Sequence, residues 1–426
     1  MQNMNANFLG GMTLTFLKAW SLALLVALPA LAVDFTWSGF GTAGYAQSDS
    51  AAKYQRFINN SGTFKRDSIL GAQLDVRFSP EWGATVQVKA APSDHSDQAY
   101  QASMAWAFIS WRPTDDWLIR AGKIRLPLML NTENNDVGAT FDFARLPQEV
   151  YSISPMTDIV GLGVSKTWVG DSMDWILEAY TGTAKANWRF YGREITAEQT
   201  SPGSWFLPIN IRSTGLVMTA RSIDNTFRVG YHEVEASRDG AKIGAPIIQI
   251  PVGGGRVAYD VGAGGNAKVI VPVLTLGASI LLPAEIRMTG EYANMRVDSI
   301  TEGLSRWGAY LALSKRFGVW TPYVYIAKMK STDAALEKYH RINGNTFPSN
   351  ASLSNRQKLL ADIVAPYDQA TFAIGTSYRL TPTSLIKAEI SQVRTGDVSS
   401  FIDAPSGGDS AHQRLNVFSL SYSFIF

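Results

Sequence analysis

The sequence predicts an all-β fold, a transmembrane antiparallel β-barrel of about 16 strands, with 18 as the alternative count. Three observations lead there. The chain ends on Val417-Phe-Ser-Leu-Ser-Tyr-Ser-Phe-Ile-Phe426, which puts Phe418, Leu420, Tyr422, Phe424 and Phe426 on one face of a strand and mostly serines on the other. That alternation suits a strand between lipid and water. Similar segments recur along the chain, and short connections alternate with long ones. Near the start, an apolar run from Phe16 to Leu28, with Lys18 as its one charge, leads into Pro29-Ala-Leu-Ala32. This reads as a signal peptide over 1–32, cleaved ahead of Val33, because about 13 apolar residues fall short of the roughly 20 a membrane helix needs.

Taken in order, the expected strands are 35–46, 68–78, 82–90, 102–111, 117–125, 160–169, 175–181, 213–221, 226–232, 269–281, 286–294, 305–315, 320–329, 370–379, 384–393 and 414–426. The second and third show the logic. Leu70, Ala72, Leu74, Val76 and Phe78 alternate with Gly71, Gln73, Asp75 and Arg77; beyond Ser79-Pro-Glu81, Trp82, Ala84, Val86 and Val88 alternate with Thr85, Gln87 and Lys89. The six other tight turns fall at 112–116, 170–174, 222–225, 282–285, 316–319 and 380–383, all rich in residues that set turn geometry. Eight long connections complete the ladder: 47–67, 91–101, 126–159, 182–212, 233–268, 295–304, 330–369 and 394–413. The connections 182–212 and 233–268 each have room for another hairpin, for example around Pro246-Ile-Ile-Gln-Ile250, which would raise the count to eighteen, and Ala334–Tyr339 and Asn355–Ala361 read as short helical turns inside one loop.

Tryptophan placement gives an independent check. Trp82, Trp111, Trp117, Trp168, Trp175 and Trp320 all lie within a few residues of a short turn, as an interfacial aromatic girdle requires. The chain has no cysteine and a net charge of +2, which loss of Lys18 reduces to +1. Neither nucleic acid nor an acidic partner is implied. Residues 33–426 read as a single domain.

Sixteen to eighteen strands enclose more space than side chains fill, so the expected interior is an aqueous channel. The export signal, the opening strand Phe35-Thr-Trp-Ser-Gly-Phe-Gly-Thr-Ala-Gly-Tyr45, the strand ladder and the terminal Ser421-Tyr-Ser-Phe-Ile-Phe426 together resemble Gram-negative outer-membrane porins of the trimeric general-diffusion type. The resemblance implies a water-filled channel for passive diffusion of small hydrophilic solutes and ions. It also implies a homotrimer, integral in the outer membrane among its lipid and lipopolysaccharide, with Phe426 forming part of the signal read by the barrel-assembly machinery. In that family the third long loop folds into the lumen as a constriction. By ordinal count that loop is 126–159, although the most familiar acidic constriction motif of enterobacterial porins is absent.

Loop 126–159 supplies Glu133, Asp136, Asp142, Arg145 and Glu149, and Arg120 and Arg125 stand beside it as the bases placed to face Glu133 or Asp136. Carboxylates opposed to bases create a transverse field that filters ions. Strand parity points Arg77, Lys89, Arg228, Arg287, Arg379 and Lys387 inward, with Asp75, Glu178, Glu291 and Glu389 as inward acids. The excess of bases motivates an alternative, a substrate-specific channel for phosphate or another anion. Neither a barrel-embedded enzyme nor an adhesin fits as well. Only His232 of the four histidines (His95, His232, His340 and His412) falls on a strand, and no nucleophile, metal or phosphate-binding motif is present. No cofactor is expected.

Overall fold

The computed structural model describes residues 33–197, 199–297 and 304–426. The signal segment expected at 1–32 lies outside these residues. The chain closes sixteen antiparallel strands into one barrel. They are β1 (Asp34–Ser48), β2 (Ile69–Arg77), β3 (Trp82–Pro92), β4 (Tyr100–Trp111), β5 (Trp117–Arg125), β6 (Asp158–Trp168), β7 (Asp174–Gly192), β8 (Gly203–Arg221), β9 (Thr226–Ser237), β10 (Lys268–Leu282), β11 (Ile286–Met295), β12 (Arg306–Lys315), β13 (Trp320–Ser331), β14 (Tyr367–Thr381), β15 (Ser384–Ser399) and β16 (Arg414–Ile425). Each pairs with its neighbours in sequence, and β16 closes on β1 in a ladder from Phe40 opposite Ile425 to Ser48 opposite Val417.

The alternation in sequence becomes an inside and an outside. On β16, Phe418, Leu420 and Tyr422 are exposed outward while Ser419, Ser421 and Ser423 are buried inward. The same outward apolar set continues around the wall through Leu216, Leu276, Ile326, Ile374 and Ile390, all exposed. So large an exposed apolar surface is the mark of a lipid-facing band. At the turn end, Trp82 stacks on Trp111 at 5.5 Å across the β3–β4 pair, and Trp168 lies directly opposite Trp175. The seam is sealed by reciprocal bonds between Gly39 and Phe426, N to O at 2.9 and 3.0 Å. Gly39 has no side chain because the Phe426 ring occupies the space a Cβ would need.

Three stretches differ from the sequence reading. Residues 182–212 are mostly strand, since β7 and β8 run nineteen residues each and leave only 193–202 as loop. Their outer halves rise past the apolar band, so the lipid-facing alternation that identifies a strand fades there. Trp188, Phe190 and Trp205 instead form a stack of rings up this hairpin, at 5.3 and 5.7 Å. The hairpin in the 233–268 connection exists, as Ile247–Gly253 paired with Arg256–Val261, but it forms its own two-stranded sheet, so the barrel has sixteen strands and not eighteen. The connection between β13 and β14 holds two full helices, α1 (Asp333–Asn343, capped by Thr332) and α2 (Ala351–Val364, capped by Asn350), where only short turns were expected. Their buried faces, Leu336, Tyr339 and Ile342 against Leu360, Ala361 and Val364, form a small core over the barrel mouth.

Deleting Phe426 removes both seam bonds and the ring that covers Gly39. The expected outcome is a marked loss of the compact, heat-modifiable band on unheated electrophoresis.

Candidate functional site

The connection between β5 and β6, here loop 3, runs inside the barrel. Pro127, with no N–H to offer a ladder, follows the last residues of β5, and Leu126, Leu128 and Met129 are buried against the inner wall. From there polar groups on distant strands hold the loop. Glu291 of β11 accepts from the Leu130 amide at 2.6 Å and from the Tyr151 hydroxyl at 2.5 Å. Asp142 accepts from Ser377 of β14 at 2.5 Å. Lys387 of β15 donates to the Phe143 carbonyl at 2.9 Å, and the Ala144 amide donates to the Tyr323 hydroxyl of β13 at 2.8 Å. The Phe143 ring meets Tyr310, Tyr323 and Tyr325 edge-on.

The far arm of the loop is pinned as firmly. Arg145 forms two bonds with Asp67 of the first long loop, one of them Nε to Oδ1 at 2.9 Å. Glu149, 2% exposed, accepts from Gln369 at 2.7 Å and Thr371 at 2.5 Å on β14. Beneath it, β12 carries Gly308, where any Cβ would overlap the Glu149 carbonyl oxygen. Asp142, Arg145 and Glu149 therefore act as anchors to the wall or to the neighbouring loop.

The near arm carries the charged edge. Arg120 lies 3.6 Å from Glu133, with the Glu133 side chain 42% exposed. Arg125, almost fully buried, pairs with Asp136 at 2.5 Å, and Lys89 reaches the same carboxylate oxygen at 2.7 Å. Burial pushes the Asp136 carboxyl up, but Lys89 and Arg125 outweigh it and hold the group down at about 2. Arg228 donates to the Met129 carbonyl at 2.8 Å and stands 3.9 Å from Glu178. The structure thus gathers Arg120, Arg125, Lys89 and Arg228 around loop 3.

Other inward bases lie elsewhere. Arg77 closes β2 at the turn end, Arg287 bonds the Asp224 carbonyl at 2.9 Å in the turn below β9, and Arg379 lies beside its own turn, 3.4 Å from the Pro382 carbonyl. Lys387 is covered by loop 3, 4.0 Å above the Phe141 ring and 1% exposed, so it does not face open lumen. Asp75 bonds Thr85 and Gln73, and Glu389 accepts from Tyr323 at 2.8 Å and Tyr325 at 3.3 Å. The ladder between β5 and β6 runs unbroken through Gly122, while β4 carries a bulge at Ala105. The sequence reading missed Asp67, Tyr151, Tyr310, Tyr323, Ser377 and Gln369. A signal existed for one of them: Tyr323 and its neighbour Tyr325 sit at successive inward positions of one strand, where an aqueous wall has no use for two large rings.

Among the described residues no group of three or more potential ligands is placed to hold a metal. His232 is buried in the wall, bonded to the Tyr180 hydroxyl at 2.8 Å and Thr275 at 3.2 Å, and the remaining histidines do not approach it.

No family model and no curated protein matches the chain. Solved structures do. Pseudomonas putida OprB, in a high-pH structure, has 9% identity over 92% of this chain and 94% of its own, with a TM-score of 0.53. The outer membrane channel DcaP of Acinetobacter baumannii has 11% identity over 94% and 100%, TM-score 0.52. A trimer form of OmpT, an outer membrane protein of Vibrio cholerae, has 10% identity over 93% and 100%, TM-score 0.52. At such identities the likeness is one of fold, that of an outer-membrane β-barrel.

Arg145→Met removes the main counter-charge of the buried Asp67 carboxylate and leaves only the longer contact to Arg66 at 3.9 Å, a loss of up to about 3–5 kcal/mol for an ion pair of this kind. A lower urea midpoint for the purified protein, largely recovered in the Arg145→Met/Asp67→Leu double variant, is the expected result. For Asp136 the folded value lies below the ordinary carboxylate value of about 3.9, so its contribution to loop 3 is full above about pH 4 and is lost as pH falls towards 2. Urea midpoints of the wild type should therefore fall more steeply between pH 4 and 2 than those of Asp136→Asn.

Proposed function

We propose that the protein is a porin integral to the outer membrane of a Gram-negative bacterium, a water-filled channel for passive diffusion of small hydrophilic solutes and ions. The observation that carries this reading is a closed sixteen-strand wall with one long loop pinned inside it. Such a wall is too wide for its own side chains to fill, and a loop fastened to one side narrows the lumen and leaves a passage. The outward apolar belt, with its tryptophans gathered at the turn end, supports a membrane position with turns in the periplasm and loops outside. The likeness to DcaP, an outer membrane channel, agrees with this reading, and the likeness to the trimer form of OmpT supports a homotrimer here.

In this reading the half-exposed Arg120–Glu133 pair and the Arg125–Asp136–Lys89 cluster form the selective edge. A solute ion passing there meets both signs of charge a few ångströms apart, a field that orients dipolar molecules and slows large or apolar ones. Phe426 serves the assembly machinery, and residues 1–32 are removed on export. No catalytic role is proposed, since the histidines do not converge on a nucleophile.

Purified protein in planar bilayers should show stepwise ionic conductance, with several steps per insertion for a trimer. Silence in that assay overturns the channel reading. In a salt gradient, Glu133→Gln should move the reversal potential towards anion preference and Arg120→Gln towards cation preference; an unmoved potential in both would take the selective edge away from these residues.

A further inference from the structure

On the loop-end side of loop 3, β10 presents apolar side chains on both faces. Ile270, Leu274 and Leu276 point outward and are 40–45% exposed, as a lipid-facing set should be. Val269, Val271 and Val273 point inward, where a water-filled vestibule offers them nothing. Ile209 and Ile211 of β8 and Met295 of β11 join them, and Met129 and Ile153 of loop 3 lie against the same space. Together they line a cavity of about 320 Å³, within the range of about 300–1,000 Å³ typical of small-molecule sites. A chamber so lined is poorly hydrated and favours an apolar occupant.

Among the bases on its rim, one has no carboxylate partner, and the rim's one acid, Asp94, is bonded to His95 at 2.9 Å. Arg56 pairs with Asp97 at 2.7 Å, and Arg189 is held between Asp97 at 2.8 Å and Asp403 at 2.7 Å. Arg306, at the loop end of β12, has no carboxylate partner among the described residues. Its guanidinium stacks over Tyr367 at 4.9 Å and donates one bond to the Ser152 carbonyl at 3.3 Å, while its Nε is buried with no hydrogen-bond partner. A guanidinium fork with an unused donor is a receptor for a carboxylate, and bidentate pairing is its strongest mode.

We propose that this chamber binds amphipathic monocarboxylates, the carboxylate on Arg306 and the apolar body on Val269, Val271 and Val273. The inference rests on the channel reading and deepens it by naming a solute class that the vestibule retains before passage. Three properties are required of the ligand at once. A short acid such as acetate lacks the apolar body, an alkylammonium carries the wrong charge, and an acid with a second carboxylate would bury that charge unpaired among valines.

The test uses the full protein in planar bilayers, where potassium chloride conductance first establishes the channel. Octanoate should then interrupt the current in a concentration-dependent way, while acetate and octylammonium at equal concentration should not. Arg306→Gln should weaken the octanoate effect at least about tenfold, the loss typical of a charge-assisted bond. A conducting channel that ignores octanoate, or responds equally to octylammonium, overturns the inference and leaves the channel standing. Should Arg306→Gln fail to assemble, the three-probe comparison on the wild type decides alone. Absence of conductance would fail the channel reading instead; octanoate titration of Trp188 emission in nanodiscs, against Trp188→Phe, then judges the chamber, which a flat titration rejects.

Discussion

Everything in this molecule depends on one requirement: a sheet facing hydrocarbon on one side must pair every backbone N–H and C=O within itself. The ladder between β1 and β16 meets it, joining residues nearly the whole chain apart. Once the circle is closed, side chains are released from holding the wall together, and parity alone assigns each to lipid or lumen. The Gly39–Phe426 seam shows how finely that closure is fitted, with an aromatic ring from one end of the chain seated where the other end has no side chain.

The free interior surface is then used to hold a loop. Polar residues from β11, β13, β14 and β15 converge on loop 3, and most of their atoms are buried. Buried polar groups are costly unless satisfied, so such a network strongly prefers one loop position over others. Loop 3 consequently behaves as part of the wall, and its charged near arm is presented at a fixed place. The tyrosines Tyr310, Tyr323 and Tyr325 serve both sides of this arrangement, offering hydroxyls to carboxylates and rings to Phe143.

How much of this the sequence shows depends on which solvents a segment separates. Where a strand divides lipid from lumen, as at Leu70–Phe78 or Phe418–Phe426, two unlike environments write a period-2 pattern that can be read directly. The outer halves of β7 and β8 carry little of that pattern, and Ala184 to Tyr191 looked like loop. The inward valines of β10 were masked by the outward apolar residues beside them, because a strand greasy on both faces has no alternation to report. Loop 3 was located by its ordinal place and by the carboxylates it carries. Its anchors were illegible for a different reason: Glu149 finds Gln369 across 220 positions and Tyr151 finds Glu291 across 140, separations that no local pattern encodes.

The height of the β7–β8 hairpin has a consequence for traffic. These strands have nineteen residues where β2 and β5 have nine, so at about 3.3 Å per residue this hairpin is roughly twice as long as those strands. The ring stack of Trp188, Phe190 and Trp205 climbs it from the apolar chamber. A molecule with an apolar body that touches this palisade anywhere along its height is held to a surface, and its search for the opening shrinks from three dimensions to nearly one. Ions and sugars gain nothing from it. Under the proposed channel function, this hairpin would sort arrivals by their apolar character before any of them reached the charges below.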